Sequence, residues 1–263
     1  MKNTLKIIAA AAMTASLFGC SSSGSAEGDH LSRIQSEGRM TVGLEGNWQP
    51  FCFHDEEDVL VGYDVEVAKN IGERLGIEIE FVEGDWSGLL TGLTAGTYDL
   101  VINGVEINDD RKQSYDFSDP YMFDRAVLVV KKDNTEIKSF EDLKGKTTAN
   151  SIGSSYEKLG EEYGAEVKGV ESLAETMTLV KSGQVDATIN ASTSVQDYIA
   201  TTGDTDIMVV DQTEEASQIG IPLPKGDDNK TLMEAINKAL KEMREDGTLA
   251  EISMKYFGAD LTN

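Results

Sequence analysis

Cysteine, histidine and tryptophan are scarce in this chain: two of each in 263 residues. Each scarcity excludes something. No paired CxxC, no HExxH, no Walker loop and no Ser/His/Asp arrangement is present, so the common signatures of metal, nucleotide and acyl-transfer enzymes are missing. Acidic clusters such as Asp55-Glu56-Glu57-Asp58 lack the spacing of a calcium loop and read as solvated turns. The expectation is a protein with no metal, no cofactor and no catalytic residues. Basic residues are also few, 23 Lys+Arg against 47 Asp+Glu. Nucleic-acid phosphates and anionic lipid heads would be repelled by such a surface. No apolar run reaches the ~20 residues of a spanning helix.

What is present begins with an N-terminal signal. Lys2 and Lys6 precede a short alanine-rich apolar stretch at residues 7–17, as in a secretory leader. Leu17-Phe18-Gly19-Cys20 then looks like a bacterial lipobox, with cleavage before Cys20 and lipidation of it, and Ser21 to Ser25 form a flexible tether. Removing residues 1–19 takes away two lysines and no acids, leaving 21 bases against 47 acids, a net charge of −26. A lipidated Cys20 leaves Cys52 without a partner, so no intramolecular disulfide is expected. Cys52, between Phe51 and Phe53, reads as a small buried hydrophobe.

From Arg39 the chain alternates β-like and amphipathic runs. Residues 40–44 read as a strand, 63–75 as a helix, 77–82 as a strand, 86–93 as a helix and 98–103 as a strand. The pattern restarts with strands at 126–130 and 146–150, a helix start at 154–160, a strand at 165–170, a helix at 173–181 and a strand at 185–190. Leu232, Ile236, Leu240 and Met243 share one face of a later helix, and Thr248 to Glu251 has capping-box spacing for a last one. Such order implies two α/β units with mostly parallel sheets. Ligands bind outside the carboxyl ends of such strands, which selects Glu45 to Trp48, Asp85-Trp86, Asn103 to Glu106, Asn150 to Ser155 and Asn190-Ala191.

Those strand ends hold a recognition kit. Both tryptophans, Trp48 and Trp86, follow strands and offer flat walls for an apolar or sulfur-containing side chain or an ammonium. Arg111 presents a planar fork matched to a carboxylate. Ser154 and Ser155, at a helix start, add hydroxyls and backbone N–H groups for the same anion. Together these describe a pocket for a zwitterion. The alternative for Arg111 is a helix-surface residue paired with Asp109 or Asp110. Asn108 suits the cap of that short helix, and the two aspartates suit its first turn.

Gly62-Tyr63-Asp64-Val65-Glu66-Val67 with Ile71-Gly72, Asn47-Trp48-Gln49-Pro50-Phe51, Val101 to Gly104, Arg111, Asp116 to Tyr121, Val185-Asp186-Ala187 and Asp246 to Leu249 followed by Lys255 to Gly258 occur in a telling order and spacing. The chain resembles the bacterial polar amino-acid-binding proteins of ABC importers across residues 30–261. That resemblance implies a type II periplasmic-binding-protein fold, two α/β lobes joined by two crossover hinge strands that close over one amino acid. With the leader and lipobox setting a signal peptide at 1–19 and a lipid-anchored tether at 20–30, the resemblance implies one lobe from 31–121 plus 219–263, a second from 126–215, and hinges at 122–125 and 216–218. It places Trp48 and Trp86 at the ligand's side chain, Gly104 at its ammonium, Arg111 with Ser154 and Ser155 at its carboxylate, and Glu45 as an acid near the side chain or ammonium, while Asn103 and Asn190 are binding candidates from their places at strand ends. The implied protein is a monomer on the outer face of the cell membrane that hands its amino acid to ABC permease subunits.

Two departures from the family pattern stand out. Glu106 stands where relatives keep Thr or Ser, and Ala191 where they keep an ammonium-binding Asp. Either Glu106 replaces that Asp, or amino-acid binding has been altered or lost. Val42 to Gly46 and the ending Gly258 to Thr262 most resemble cystine-binding members. Two other functions stay open: a dehydratase of prephenate- or arogenate-like acids with Glu106 as general acid, and a ligand-sensing module. The lipobox favours a free-standing receptor over a sensor, and the absence of an acid/base pair disfavours the enzyme.

Overall fold

The structure, a computed structural model, describes residues 29–263. The leader, the lipidation site at Cys20 and the tether up to residue 28 lie outside the described residues. The tether expected through residue 30 is corrected at its end, because a helix, α1 (His30–Glu37), starts there. Asp29 caps it by accepting from the Ser32 N–H, and the His30 ring contacts Asp99 at 2.8 Å and also Asn229. Asp99 is what draws the helix in. Burial raises its carboxyl, but bonds from His30, the Thr41 N–H and hydroxyl, and Arg33 together hold it below the usual carboxylate range.

The first lobe is built on three parallel strands, β1 (Arg39–Leu44) between the later β5 (Glu78–Glu83) and β6 (Leu100–Val101). A small antiparallel sheet of β2 (Asn47–Trp48), β3 (Cys52–His54) and β4 (Leu60–Val61) follows β1. Helix α2 (Tyr63–Leu75) buries Val65, Val67, Ala68 and Ile71 and ends where Gly76 turns left-handed. Helix α3 (Trp86–Thr94) buries Leu89 and Leu93. The strand expected at 98–103 is shorter: only Leu100–Val101 is in register with β1, flanked by main-chain bonds from the Asp99 N–H to Thr41 and from the Ile102 N–H to Gly43, while the Asp99 and Asn103 side chains accept from the Thr41 and Glu45 N–H groups. A short helix, α4 (Asp109–Lys112), is capped by Asn108 through the Arg111 N–H, as the sequence suggests.

Two antiparallel pairs carry the chain across. β7 (Tyr115–Phe117) pairs with the later β15 (Pro222–Pro224), and β8 (Met122–Asp124) pairs with β14 (Ser217–Ile219). The second lobe is a five-stranded sheet. β10 (Thr147–Ser151) lies between β11 (Glu166–Val170) and β12 (Ala187–Ala191), all parallel, while β9 (Ala126–Lys131) runs antiparallel to β12 and to β13 (Ile207–Gln212). Helices α5 (Ser155–Glu162), α6 (Leu173–Ser182) and α7 (Ser192–Thr202) connect its strands. One face of the sheet buries Val127, Val129, Met177 and Val180 and the other Leu128, Val130, Phe140 and Ile189, so β9 is apolar without alternation.

After β15 the chain rejoins the first lobe. In α8 (Lys230–Glu245) Leu232, Ile236, Leu240 and Met243 are all fully buried. α9 (Thr248–Phe257) closes the fold, but its cap is Gly247 and not Thr248. The expected capping box is not made because Asp246 stands upstream and accepts from both the N–H and the hydroxyl of Thr248. No helix among the described residues is long and apolar enough to cross a membrane.

Candidate ligand-binding cleft

Signature residues of α2 build the floor. Gly62 has φ +132°, and a Cβ there would lie 2.2 Å from the Phe51 carbonyl, so only glycine lets α2 start against that loop. Two residues on, the fully buried Asp64 accepts from the Gly104 N–H at 2.7 Å and the Tyr121 hydroxyl at 2.8 Å. Burial pushes its carboxyl up to about 7 in spite of those bonds. Asp64 thereby fixes Gly104 at φ +55°, with the edge of Trp48 where a Cβ would be, 2.6 Å away. Trp48 in turn stacks on Phe51 at 4.2 Å between ring centroids. The Gly104 N–H is engaged, so what this residue retains for an ammonium is its carbonyl, the acceptor such a donor requires.

Above this floor lies a cleft of about 730 Å³, its open mouth included. Glu45, Trp48, Trp86, Asn103, Gly104, Glu106, Arg111, Ser154, Ser155 and Asn190, the ten residues selected from the sequence, all line it. They do not all point their chemistry outward. The buried Asn103 amide is spent on Glu45, accepting from its N–H and donating to its carboxylate, both at 2.8 Å, and it also accepts from the Cys52 thiol. Asn103 positions Glu45. Burial first, then repulsion from Asp85 and Glu171, pushes the Glu45 carboxyl up to about 7 against that amide bond.

Arg111 settles between its two readings. Asp109 lies 3.9 Å from Lys112, and Asp110 pairs with Lys158, so neither takes the guanidinium. It points into the cleft instead, 5.3 Å from the Trp86 ring centroid, and among the described residues donates only to backbone carbonyls, Glu106 at 3.0 Å and Gly153 at 3.5 Å. Trp86, assigned by sequence to the ligand, also holds this arginine. Burial keeps the guanidinium below its ordinary range, offset by the charge of Glu106. A half-buried cation without a carboxylate is costly in part, and a ligand carboxylate would offset that cost.

Across from Arg111 the chain enters α5. Ser154 caps the helix by accepting from the Glu157 N–H, and the Ser155 Oγ is buried with no partner among the described residues. Glu106 accepts from Ser217 on the crossover at 2.6 Å through one oxygen. Ala191 is not at the cleft surface; it ends β12 in the core, 2% exposed, while its neighbour Asn190 faces the cleft. Sequence reasoning missed Asp124, Arg125, Tyr156 and Glu171, which also line it. Asp124 is an acid beside the start of α7, but its oxygens are taken by the Thr193 hydroxyl at 2.6 Å and the Arg125 N–H at 2.7 Å. No group of three or more His, Cys, Asp or Glu suited to a metal occurs among the described residues.

The Lys158–Asp110 and Arg111–Gly153 contacts span the cleft, so the two lobes stand closed over it. A two-lobed α/β clamp on paired crossover strands, with an arginine and tryptophans lining the cleft between its lobes, defines a solute-binding protein of the type II periplasmic fold. The chain belongs to the bacterial extracellular solute-binding proteins, family 3, whose family model matches residues 40–259. It is 43% identical to the L-cystine-binding protein TcyA of Bacillus subtilis over 237 residues, 90% of this chain and 87% of that one. An ancestral arginine-binding protein solved with arginine superposes with a TM-score of 0.78 at 39% identity, covering 84% of this chain and 99% of that one. The L-cystine solute receptor of Neisseria gonorrhoeae, unliganded and open, gives a TM-score of 0.60 at 36% identity, covering 89% and 98%.

Proposed function

We propose that this protein is the substrate-binding lipoprotein of an ABC amino-acid importer, capturing a polar amino acid, L-cystine favoured, for delivery to permease subunits. The observation that carries this reading is Arg111: a half-buried guanidinium over Trp86 with no carboxylate partner among the described residues, at the same cleft as the Ser155 hydroxyl, which has no partner among them either and lies at a helix start. That is a receptor for an α-carboxylate. Glu106, with one oxygen uncommitted, and the Gly104 carbonyl take the ammonium in place of the missing acid at position 191. Trp48 and Trp86 wall the side chain, which favours a disulfide. The lobes, 31–121 with 219–263 and 126–215, open about 122–125 and 216–218. The likeness to cystine-binding relatives supports the ligand, and the lipobox supports anchoring through Cys20 on the outer face of the membrane.

A thermal-shift screen of the ligand-free protein against the common amino acids, L-cystine, prephenate and arogenate tests it. A ligand at about 100 times its Kd stabilises by about 2.7 kcal/mol, and L-cystine is expected to do so without being consumed. Turnover of prephenate or arogenate would establish the dehydratase reading instead.

A further inference from the structure

Arginines in this protein are seldom short of a partner, since acids outnumber bases 47 to 23. Of the six, Arg33, Arg39 and Arg74 pair with carboxylates, and Arg244 donates to the Pro120 and Thr262 carbonyls. The remaining two, Arg111 and Arg125, have no carboxylate within 4.0 Å among the described residues, and both line the cleft. Arg111 is accounted for by a single α-carboxylate. Arg125 is not.

Arg125 follows β8, where the cleft meets the groove on the far side of the crossover. Its backbone is fixed on both sides: its N–H donates to Asp124 at 2.7 Å, and its carbonyl accepts from the Ser192 N–H at 2.8 Å. Its side chain makes no hydrogen bond within the described residues and is exposed. The acids of the cleft show a matching duplication. Glu106 lies near enough to Arg111 for its charge to be felt there, while Glu45 from the first lobe and Glu171 from the second line the same cleft and repel one another. None of these three has a Lys, Arg or His within 4.0 Å among the described residues. Two unpaired guanidinium forks and two separate acidic positions are more than one α-amino acid head can use.

We propose that Arg125 receives a second carboxylate of the ligand, so that the cleft is built for an amino acid with a zwitterion at each end, of which a disulfide-linked pair is the form its tryptophan walls fit. This rests on the amino-acid reading above. The planar fork of Arg125 binds the distal carboxylate, and Glu45 with Glu171 takes the distal ammonium. Arg125 thus sets specificity for the length and double charge of the ligand, whereas Arg111 sets affinity for any α-carboxylate.

Calorimetric titration of the wild type and Arg125→Gln with two probes tests this: L-cystine, and S-methylthio-L-cysteine, which keeps the disulfide and one zwitterion but lacks the second. The wild type is expected to prefer L-cystine. Arg125→Gln is expected to lose affinity for L-cystine by roughly 10- to 100-fold, the worth of a charge-assisted hydrogen bond, and for the half-molecule less than threefold. An unchanged melting temperature shows that the variant is folded. Equal losses for both probes, or none for L-cystine, overturn the role of Arg125. A wild type that binds a one-carboxylate amino acid but not L-cystine overturns it too, leaving the amino-acid reading intact. A wild type that binds no amino acid at all overturns both.

Discussion

Replacing Glu45 by Gln should stabilise the ligand-free protein at pH 8 and by much less at pH 5. In the folded protein the Glu45 carboxyl is raised from 4.5 to about 7. A group raised on folding contributes stability that is fully present below its unfolded value, here 4.5, and is lost as pH rises through about 7. The difference between the two values corresponds to ~3 kcal/mol once the carboxylate is ionised in both states. Glutamine removes that charge and keeps an oxygen for the Asn103 amide, which donates to Glu45 at 2.8 Å. For a domain of this size ~3 kcal/mol is a rise of roughly 6–12 °C in Tm. Melting followed by circular dichroism at pH 5 and pH 8, for wild type and variant without ligand, measures it. Asp64 is also raised to about 7, but it titrates in both proteins and cancels in the difference. A Tm difference that is equal at the two pH values, or that is negative at pH 8, would refute the argument that burial and the neighbouring acids hold this carboxyl up.

Gly104→Ala forces a side chain onto a φ of +55° and into Trp48 at 2.6 Å; ~1–2 kcal/mol of backbone strain alone is expected, with a shifted tryptophan emission spectrum. Cys52 is fully buried, its thiol pushed up by burial, so maleimide labelling of the native protein should be slow and follow unfolding as denaturant is added. Asp99→Asn should destabilise by roughly 2–3 kcal/mol, since the buried carboxylate gathers charged and hydroxyl donors. Because that carboxyl is depressed on folding, its contribution is present above the unfolded value of 3.8 and lost as pH falls through the folded one, so the deficit seen in urea melts should shrink under strong acid.

The helices and strands with a clear period were readable: α2 and the buried face of α8 appear as the spacing of Val65, Ile71, Leu232 and Ile236 predicts. Residues 192–212, which form α7 and β13, went unassigned because α7 is polar, with only Thr193, Ser194 and Val195 buried. Helix α1 was concealed for another reason. It is held by His30 and Asp99, 69 residues apart, and no local pattern reports such a pair. The cleft was legible because strand carboxyl ends collect binding residues whatever the ligand. Which side chains are free to bind was not: Asn103 is consumed by Glu45, and Trp86 is shared with Arg111, facts set by tertiary contact. Asp124 and Arg125 escaped because one ends a crossover strand and the other directly follows it, away from the carboxyl ends of the two main sheets.

Isothermal titration of L-cystine into wild-type protein and Arg111→Ala tests the central claim most directly. One molecule bound per chain by the wild type, with affinity reduced roughly 100-fold or more in the variant, is the expected result for loss of a buried carboxylate partner. Equal affinities in the two proteins, or no heat from the wild type with L-cystine or any other amino acid, would contradict it.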